Sequence, residues 1–332
     1  MIYAPILITT LNRYECLEKC INSLAKNSWA DNTEVFISVD YPPSKNYYDG
    51  YIKVLEFLKK EICGFKKVNI FYQKRNLGPF DNSRWLKEIV SERGYDRYIY
   101  VEDDTEAAPG LLEFFDKGLE IFKNNKDIIG INASDYVWCG NGYTPAVNEI
   151  DDNDNNIEKR QLVFHASAVW FEKEKEIEKF INNEITQIVY KKEIMKKLYS
   201  KSKTFFYQYI NTILRRKDLL PWYKGKIVSI DMVWDIYMII YDKYVITPRT
   251  SLIRDLGVTG NGFNYKDEFE NKDQLLNRKL NEDMHFRYKD ISAVGINEKE
   301  LLLHDFNIEV SYLSRIRTIL FYLFYKNFKE KI

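Results

Sequence analysis

The chain has few cysteines, histidines and glycines, and it carries no net charge. Four cysteines in 332 residues, none of them in a CxxC pair, make a zinc site or a disulfide framework improbable and favour a reduced protein. Basic and acidic residues number 49 each, which argues against a general nucleic-acid binder, a class that is usually basic overall. The histidines, of which there are only three, are expected to be structural: His165, His285 and His304.

Long apolar segments and an N-terminal glycine-rich loop are also missing. The opening MIYAPILITT resembles a strand rather than a signal peptide, and the apolar run Ile319–Tyr325 is too short to span a bilayer. We therefore expect a cytoplasmic protein. Residues 1–20 contain no glycine, which argues against a sugar nucleotidyltransferase, and no GxGxxG follows the first strand, which argues against a Rossmann dehydrogenase.

The first 132 residues alternate between strand and helix patterns. Apolar residues at Leu17, Cys20, Ile21 and Leu24 follow helical spacing, and Pro109 is suited to the start of another helix. This alternation predicts an α/β fold with a mostly parallel central sheet and helices on both faces, whose ligand lies beyond the carboxyl ends of the strands. The β-rich runs are Pro5–Thr9, Glu34–Val39, Val68–Tyr72, Tyr98–Val101 and Ile128–Ile131.

The rest of the chain is less regular. Asp135–Arg160 is rich in Asn, Asp and Gly and is predicted to be a loop. Glu172–Ser200 has a helical pattern, Tyr244–Pro248 is strand-like, and Val310–Phe328 is an apolar, aromatic helix.

The strongest chemical signal is Glu102-Asp103-Asp104, which follows the apolar residues Tyr100 and Val101. Adjacent carboxylates at a strand end repel one another unless a cation or hydrogen-bond donors compensate them. Mn²⁺ or Mg²⁺ would serve, and either would also bind a diphosphate. A solvated acidic turn that caps the next helix is the alternative.

The segment VEDDTEAAPGLLEFF resembles one in the Golgi N-acetylglucosaminyltransferase that initiates complex N-glycans, and in bacterial glycosyltransferases of the GT-A (nucleotide-diphospho-sugar transferase) fold. The resemblance implies that Asp104 is the metal ligand and that Glu102 and Asp103 face the nucleotide. It covers roughly residues 1–262, which implies a nucleotide-sugar-binding half (1–132) and an acceptor-binding half (133–262) of one domain, followed by a C-terminal helical extension (263–332).

Other segments resemble nucleotide-binding elements of the same enzymes. They are the first-strand turn with Thr9, Asn12 and Arg13, the second-strand residue Asp40, and the RNxG element with Arg75 and Asn76. Asp40 could equally be a helix cap.

Two acids are candidates for the catalytic base that accepts the proton of the acceptor hydroxyl. Asp231 lies in a segment that resembles the bacterial SWD pattern, and Asp235 in one that resembles the WDD of the Golgi enzyme. Asp255 departs from the pattern of the bacterial enzymes, in which Asn usually occupies the corresponding position. Direct attack of the hydroxyl on the anomeric carbon would invert the anomeric configuration.

The basic, aromatic segment Tyr199–Lys226 and the helix Val310–Phe328 suggest contact with the inner face of the cell membrane, where a lipid-linked acceptor would lie. The alternative is that the aromatic residues belong to the core and the cations to a solvated face. The acidic turn and the resemblances together predict an inverting glycosyltransferase that moves a sugar from a nucleotide-sugar, taken to be a UDP-sugar, to a glycan of bacterial surface polysaccharide. The alternatives are a carbohydrate-binding protein of the same fold without activity, and a sugar nucleotidyltransferase, against which the missing glycine-rich loop argues.

Overall fold

The computed structural model describes residues 2–134, 136–138, 143–145, 157–160, 166–182, 192–203, 205–207, 230–248 and 250–259, with single positions between 273 and 323. Its helices are α1 (Tyr14–Leu24), α2 (Tyr48–Leu58), α3 (Pro79–Glu92), α4 (Leu111–Ile121), α5 (Phe171–Asn182), α6 (Lys192–Lys201) and α7 (Ile230–Tyr241). Its strands are β1 (Ile6–Thr10), β2 (Glu34–Val39), β3 (Lys67–Tyr72), β4 (Arg97–Glu102), β5 (Thr105–Ala107), β6 (Ile128–Asn132), β7 (Tyr136–Trp138), β8 (Tyr143–Pro145), β9 (Ile157–Arg160), β10 (Ala166–Trp170), β11 (Tyr244–Pro248) and β12 (Ile253–Asp255).

Eight of these strands form one sheet in the order β3-β2-β1-β4-β10-β6-β11-β9. The first four are parallel to one another, and β6 is parallel to β11. Strand β10 runs antiparallel between β4 and β6, and β9 is antiparallel to β11. The sheet therefore includes strands from both sides of residue 132. Two short antiparallel pairs, β5 with β12 and β7 with β8, lie outside it.

The sheet separates two hydrophobic clusters. Ile6 and Ile8 belong to one cluster with residues of α1, α2 and α4, whereas Leu7 belongs to the other with residues of α3, α5, α6 and α7. Alternate residues of a strand point to opposite faces, so helices cover both faces of this sheet. The predicted mostly parallel sheet with helices on both faces is confirmed.

Several predicted elements have the expected bounds. Strand β2 and strand β11 match their predicted runs, and the buried residues of α1 are the four that follow helical spacing in the sequence. Cys16, Cys20 and Cys63 are free thiols, while Cys139 lies outside the described residues. None of the helices in the described part of the chain is both long and apolar enough to cross a bilayer.

Two predictions, for Asp135–Arg160 and for the helix start at Pro109, need correction. Asp135–Arg160 is not wholly a loop, because it contains β7, β8 and β9, which are three or four residues long and too short to show a clear alternation. The described residues of Glu172–Ser200 are helical as predicted, in α5 and α6, and residues 183–191 lie outside the described set. The helix near Pro109 begins two residues later, at Leu111, with Gly110 as its N-cap.

Candidate active site

The carboxyl ends of β1, β2 and β4 lie side by side at one edge of the sheet. Thr10 of β1 is in register with Val39 of β2, and Thr9 with Glu102 of β4. The segments that follow these strands, which begin at Leu11, Asp40 and Asp103, therefore meet at this edge. Seven of the eleven site residues predicted from the sequence lie at this edge: Thr9 and Glu102 near the ends of β1 and β4, and Asn12, Arg13, Asp40, Asp103 and Asp104 in the segments that follow the strands.

Arg13, the N-cap residue of α1, forms ion pairs with both aspartates of the acidic turn. Its Nη1 donates to Asp104 Oδ2 and its Nη2 to Asp103 Oδ1. Thr10 Oγ1 donates to the other oxygen of Asp103 at 2.6 Å. The first-strand turn and the acidic turn are thus joined by three charge-assisted hydrogen bonds.

The two aspartates are buried, and burial disfavours their charged forms. It raises the pKa of Asp103, although Arg13 and Thr10 oppose the shift. Burial likewise raises the pKa of Asp104 to about 7, with Arg13 opposing and with Glu102, Asp103 and Asp255 adding to the increase. For Arg13, burial lowers the pKa, but the surrounding carboxylates outweigh it and the net shift is upward, so the guanidinium stays charged.

A fourth acid, Asp255, adjoins this pair at the end of β12. Strand β12 is antiparallel to β5, and the N–H of Gly257 donates to Asp255 Oδ1 at 2.7 Å. A Cβ built on Gly257 would lie 2.4 Å from Asp104 Oδ2 and 3.0 Å from Asp255 Oδ1. Both carboxylates therefore contact the glycine backbone. The sequence marks Asp255 only as a departure from a pattern, and its place in the cluster was not predicted.

The chemistry of the cluster fits a divalent cation. Asp104 Oδ1 is buried, and it has no hydrogen-bond partner within the described residues. The part of the chain that the structure describes contains no group of three or more His, Cys, Asp or Glu side chains arranged to hold a metal ion. Mg²⁺, however, is commonly held by one or two carboxylates together with water and substrate phosphates. Asp104 is the residue whose free oxygen suits this role.

Asp40 holds the turn that leads into α3. Its carboxylate accepts the backbone N–H groups of Tyr41, Leu77 and Gly78 at 2.8–2.9 Å, and the Asn76 amide at 3.2 Å. These four donors give Asp40 a role in holding the backbone, although it is not a helix cap, because Gly78 is the N-cap residue of α3. Its contact with a nucleotide stays a prediction.

The other residues predicted to contact the nucleotide differ in their contacts and in their exposure to solvent. Thr9 Oγ1 lies 3.0 Å from the Tyr100 hydroxyl, and a Cβ on Gly50 would lie 2.2 Å from the carbonyl oxygen of Asn12, so α2 packs against this turn. Asn76 also donates to the Tyr41 carbonyl at 2.6 Å. Arg75 is exposed, and Glu102 is partly exposed.

Both candidate bases belong to α7, on the face of the sheet that α3 also covers. Asp235 is buried, and its neighbours Val233, Trp234 and Ile236 belong to the hydrophobic cluster of that face. The side chain of Asp231 lies outside the described residues. The choice between them stays open.

Comparison with known proteins gives no family assignment. No family model matches the chain, and no curated protein matches it. Solved structures with partial similarity include Staphylococcus aureus TarS 1-349 in complex with UDP, which is 14% identical with a TM-score of 0.35. The alignment covers 53% of this chain and 49% of that one.

Two further structures are described as sugar transferases. The mannosyltransferase PcManGT of Pyrobaculum calidifontis, in complex with GDP-Man and Mn²⁺, is 8% identical with a TM-score of 0.32, over 51% of this chain and 46% of that one. The bifunctional glycosyltransferase WbbM is 14% identical with a TM-score of 0.29, over 52% and 32%. The chain thus aligns with half or less of the length of each of these proteins, and the similarity is too low to assign an activity.

Proposed function

We propose that this chain is an inverting glycosyltransferase of the GT-A type that moves a sugar from a nucleotide-sugar, taken to be a UDP-sugar, onto an acceptor glycan in bacterial surface polysaccharide synthesis. The observation that carries the proposal is the buried Asp103–Asp104 pair at the carboxyl edge of the sheet. In open α/β sheets ligands bind at this edge. A buried carboxylate oxygen without a protein partner, Asp104 Oδ1, calls for an external cation.

Asp104 holds Mn²⁺ or Mg²⁺ in this proposal, and the ion would neutralise the diphosphate leaving group. Thr10 and Arg13 fix the orientation of the acid pair, and Asp255 adds negative charge beside it. Either Asp231 or Asp235 accepts the proton of the attacking hydroxyl. The residues predicted to contact the nucleotide are Thr9, Asn12, Arg13, Asp40, Arg75, Asn76, Glu102 and Asp103.

The test is hydrolysis of UDP-sugars by the pure protein in the presence and absence of Mn²⁺. Wild-type protein should release UDP only with the divalent ion, and Asp104→Asn should abolish the release. Glu106→Gln is the matched control, because Glu106 lies two residues away but pairs with Arg254 at 2.7 Å instead of Arg13. Metal-dependent binding of a UDP-sugar without any turnover or transfer would favour the carbohydrate-binding alternative.

We also propose that the C-terminal segment docks on an anionic membrane surface from the cytoplasmic side. Six large apolar residues between positions 312 and 323 are 40% to 78% exposed, and their spacing follows one face of a helix: Tyr312, Leu313, Ile316, Ile319, Leu320 and Leu323. Arg315 and Arg317 are interspersed with them and are also exposed. An exposed apolar stripe beside cations suits an anionic lipid surface.

Ring contacts connect Arg315 of the C-terminal segment to Tyr207 and, through it, to Tyr199 of α6. The Arg315 guanidinium lies 5.9 Å from the centre of the Tyr207 ring, and Tyr207 packs against Tyr199. Lys203 Nζ lies 5.5 Å from the Tyr199 ring. These contacts support the idea that the start of the basic, aromatic segment and the terminal helix act together.

Flotation of the full-length protein with vesicles tests this second proposal. Binding to vesicles with phosphatidylglycerol should exceed binding to pure phosphatidylcholine, and Leu313→Asp with Leu320→Asp should reduce it. Ile52→Asp, a change at a similarly exposed residue of α2, should leave it unchanged. Equal binding by both variants would contradict membrane docking, and a change in oligomeric state of the double variant would indicate that the stripe contacts a second copy.

A further inference from the structure

The side chain of Arg13 is partly exposed to solvent, whereas the two aspartates that it contacts are more deeply buried. Its side chain is 24% exposed, compared with 4% for Asp103 and 8% for Asp104. Of these three side chains, that of Arg13 is therefore the most accessible to solvent. Removing it would leave two adjacent buried carboxylates without their main cation, which is strongly unfavourable.

The same guanidinium occupies one oxygen of each aspartate in the candidate metal site. Asp104 Oδ2 is taken by Arg13, so within the described residues only Oδ1 is left without a partner. A divalent ion at Asp104 and the charged guanidinium at the same carboxylate would repel each other at short range. We therefore expect the divalent ion and the Arg13 guanidinium to compete for the Asp104 carboxylate.

We propose that Arg13 is an internal counter-cation that competes with the divalent ion for Asp104, and that it leaves this carboxylate when the ion and its nucleotide-sugar bind. This inference rests on the proposed function and specifies how the site is loaded. Without a donor, Arg13 keeps the buried acids compensated and lowers their affinity for metal. Once displaced, its donors suit the phosphate oxygens of the nucleotide-sugar, to which an arginine can bind in bidentate fashion.

The affinity of the pure, full-length protein for Mn²⁺ tests the proposal without any measurement of activity. Titration calorimetry should show that Arg13→Gln binds Mn²⁺ about tenfold more tightly than wild-type protein, because a competing charge has gone. Arg254→Gln removes the same charge from a nearby side chain of similar exposure, which pairs with Glu106. This control should change the affinity by less than about twofold, which separates direct competition from a general effect of net charge.

A second measurement uses the wild-type protein and so does not depend on the folding of a variant. Phenylglyoxal modifies accessible arginines, and mass spectrometry reports the rate at each one. Addition of Mn²⁺ should speed modification of Arg13, and further addition of UDP should slow it again, while Arg254 keeps a constant rate. A rate at Arg13 that stays the same or falls with Mn²⁺ would overturn the competition.

The outcomes also separate this inference from the proposed function. Mn²⁺ binding that requires Asp104 but is equal or weaker in Arg13→Gln contradicts the role of Arg13 alone. Failure of wild-type protein and of Arg13→Gln to bind Mn²⁺ contradicts both. Binding by Arg13→Gln that exceeds wild-type binding and is lost in the double variant with Asp104→Asn supports both.

Discussion

The backbone N–H of Leu256 donates to the main-chain carbonyl of Asp104 at 2.8 Å. This bond fixes the end of β12 against the acidic turn, so that the residue after Leu256 lies directly on the Asp104 carboxylate. Residues about 150 positions apart in sequence thus form one wall of the candidate site.

Gly257→Ala tests this contact. The new Cβ would lie 2.4 Å from Asp104 Oδ2, so the carboxylate has to turn away from its present position. We expect a loss of stability of about 1 kcal/mol, since the atom that must move ends a side chain rather than the backbone. Mn²⁺ affinity should fall by about tenfold or more, because a ligand has lost its orientation.

Gly64→Ala is the control for Gly257→Ala. Gly64 has φ +94 and packs against Ala25, so its substitution should destabilise the fold without affecting the acids. Chemical denaturation and calorimetry measure the two effects separately. Unchanged Mn²⁺ affinity in Gly257→Ala would show that Asp104 does not depend on this wall.

Asp116 should make stability depend on pH. Its Oδ1 accepts the N–H of Ala4 at 2.9 Å, and within the described residues its buried Oδ2 has no hydrogen-bond partner. Burial raises the pKa of Asp116 from 3.8 to about 7. The folded form therefore binds the proton more tightly than the unfolded form, and the contribution to stability falls as pH rises from about 4 to about 7.

Asp116→Asn should remove this pH dependence. At pH 8 we expect the variant to be more stable than wild-type protein by about 1–3 kcal/mol, because no charge is buried, although the amide places an NH₂ group with two donors at the position of Oδ2. At pH 4 the order should be equal or reversed. Thermal unfolding at several pH values measures the difference, with the exposed Asp31→Asn as a control, and a constant difference across the range would contradict the assignment.

Asp40→Asn separates two roles for that residue. If Asp40 mainly holds the turn at 76–78, the NH₂ group of the new amide will face backbone N–H donors that the carboxylate had accepted. The free energy of unfolding should then fall by about 2 kcal/mol. Hydrogen exchange at Leu77 and Gly78 should then accelerate. Normal stability together with a loss of UDP affinity would instead support the predicted contact with the nucleotide.

Asp231→Asn and Asp235→Asn identify the base. We expect one of the two variants to lose sugar transfer by about 100-fold or more while its affinity for the donor stays unchanged. The other variant should keep the wild-type rate. Equal, small effects of both substitutions would exclude both residues as the base.

The sequence predicted six of the eight strands of the sheet, because those strands are five or six residues long and the helices between them have one apolar stripe. Leu17, Cys20, Ile21 and Leu24 illustrate this, since helical spacing alone identified the buried face of α1. The three-residue strands β5 and β12 could not be found in this way, because so few residues show no periodicity. The antiparallel insertion of β10 likewise depends on contacts distant in sequence.

The candidate site was predicted in part. Thr9 lies near the end of β1, Asn12 and Arg13 follow this strand, and the acidic turn follows its neighbour β4, so parallel pairing brings them to one edge. Neither the ion pairs of Arg13 nor the position of Asp255 follows from spacing, because both depend on how loops pack. The four hydrogen bonds donated to Asp40 could not be predicted for the same reason, because they also depend on how loops pack.

Titration of UDP into the pure protein with and without Mn²⁺ tests the metal-assisted site most directly. We expect UDP to bind at least about tenfold more tightly with Mn²⁺ than without it, and Asp104→Asn to eliminate the difference. Equal affinity in the presence and absence of divalent ions, or no binding of UDP or any sugar nucleotide under either condition, would contradict the proposed site.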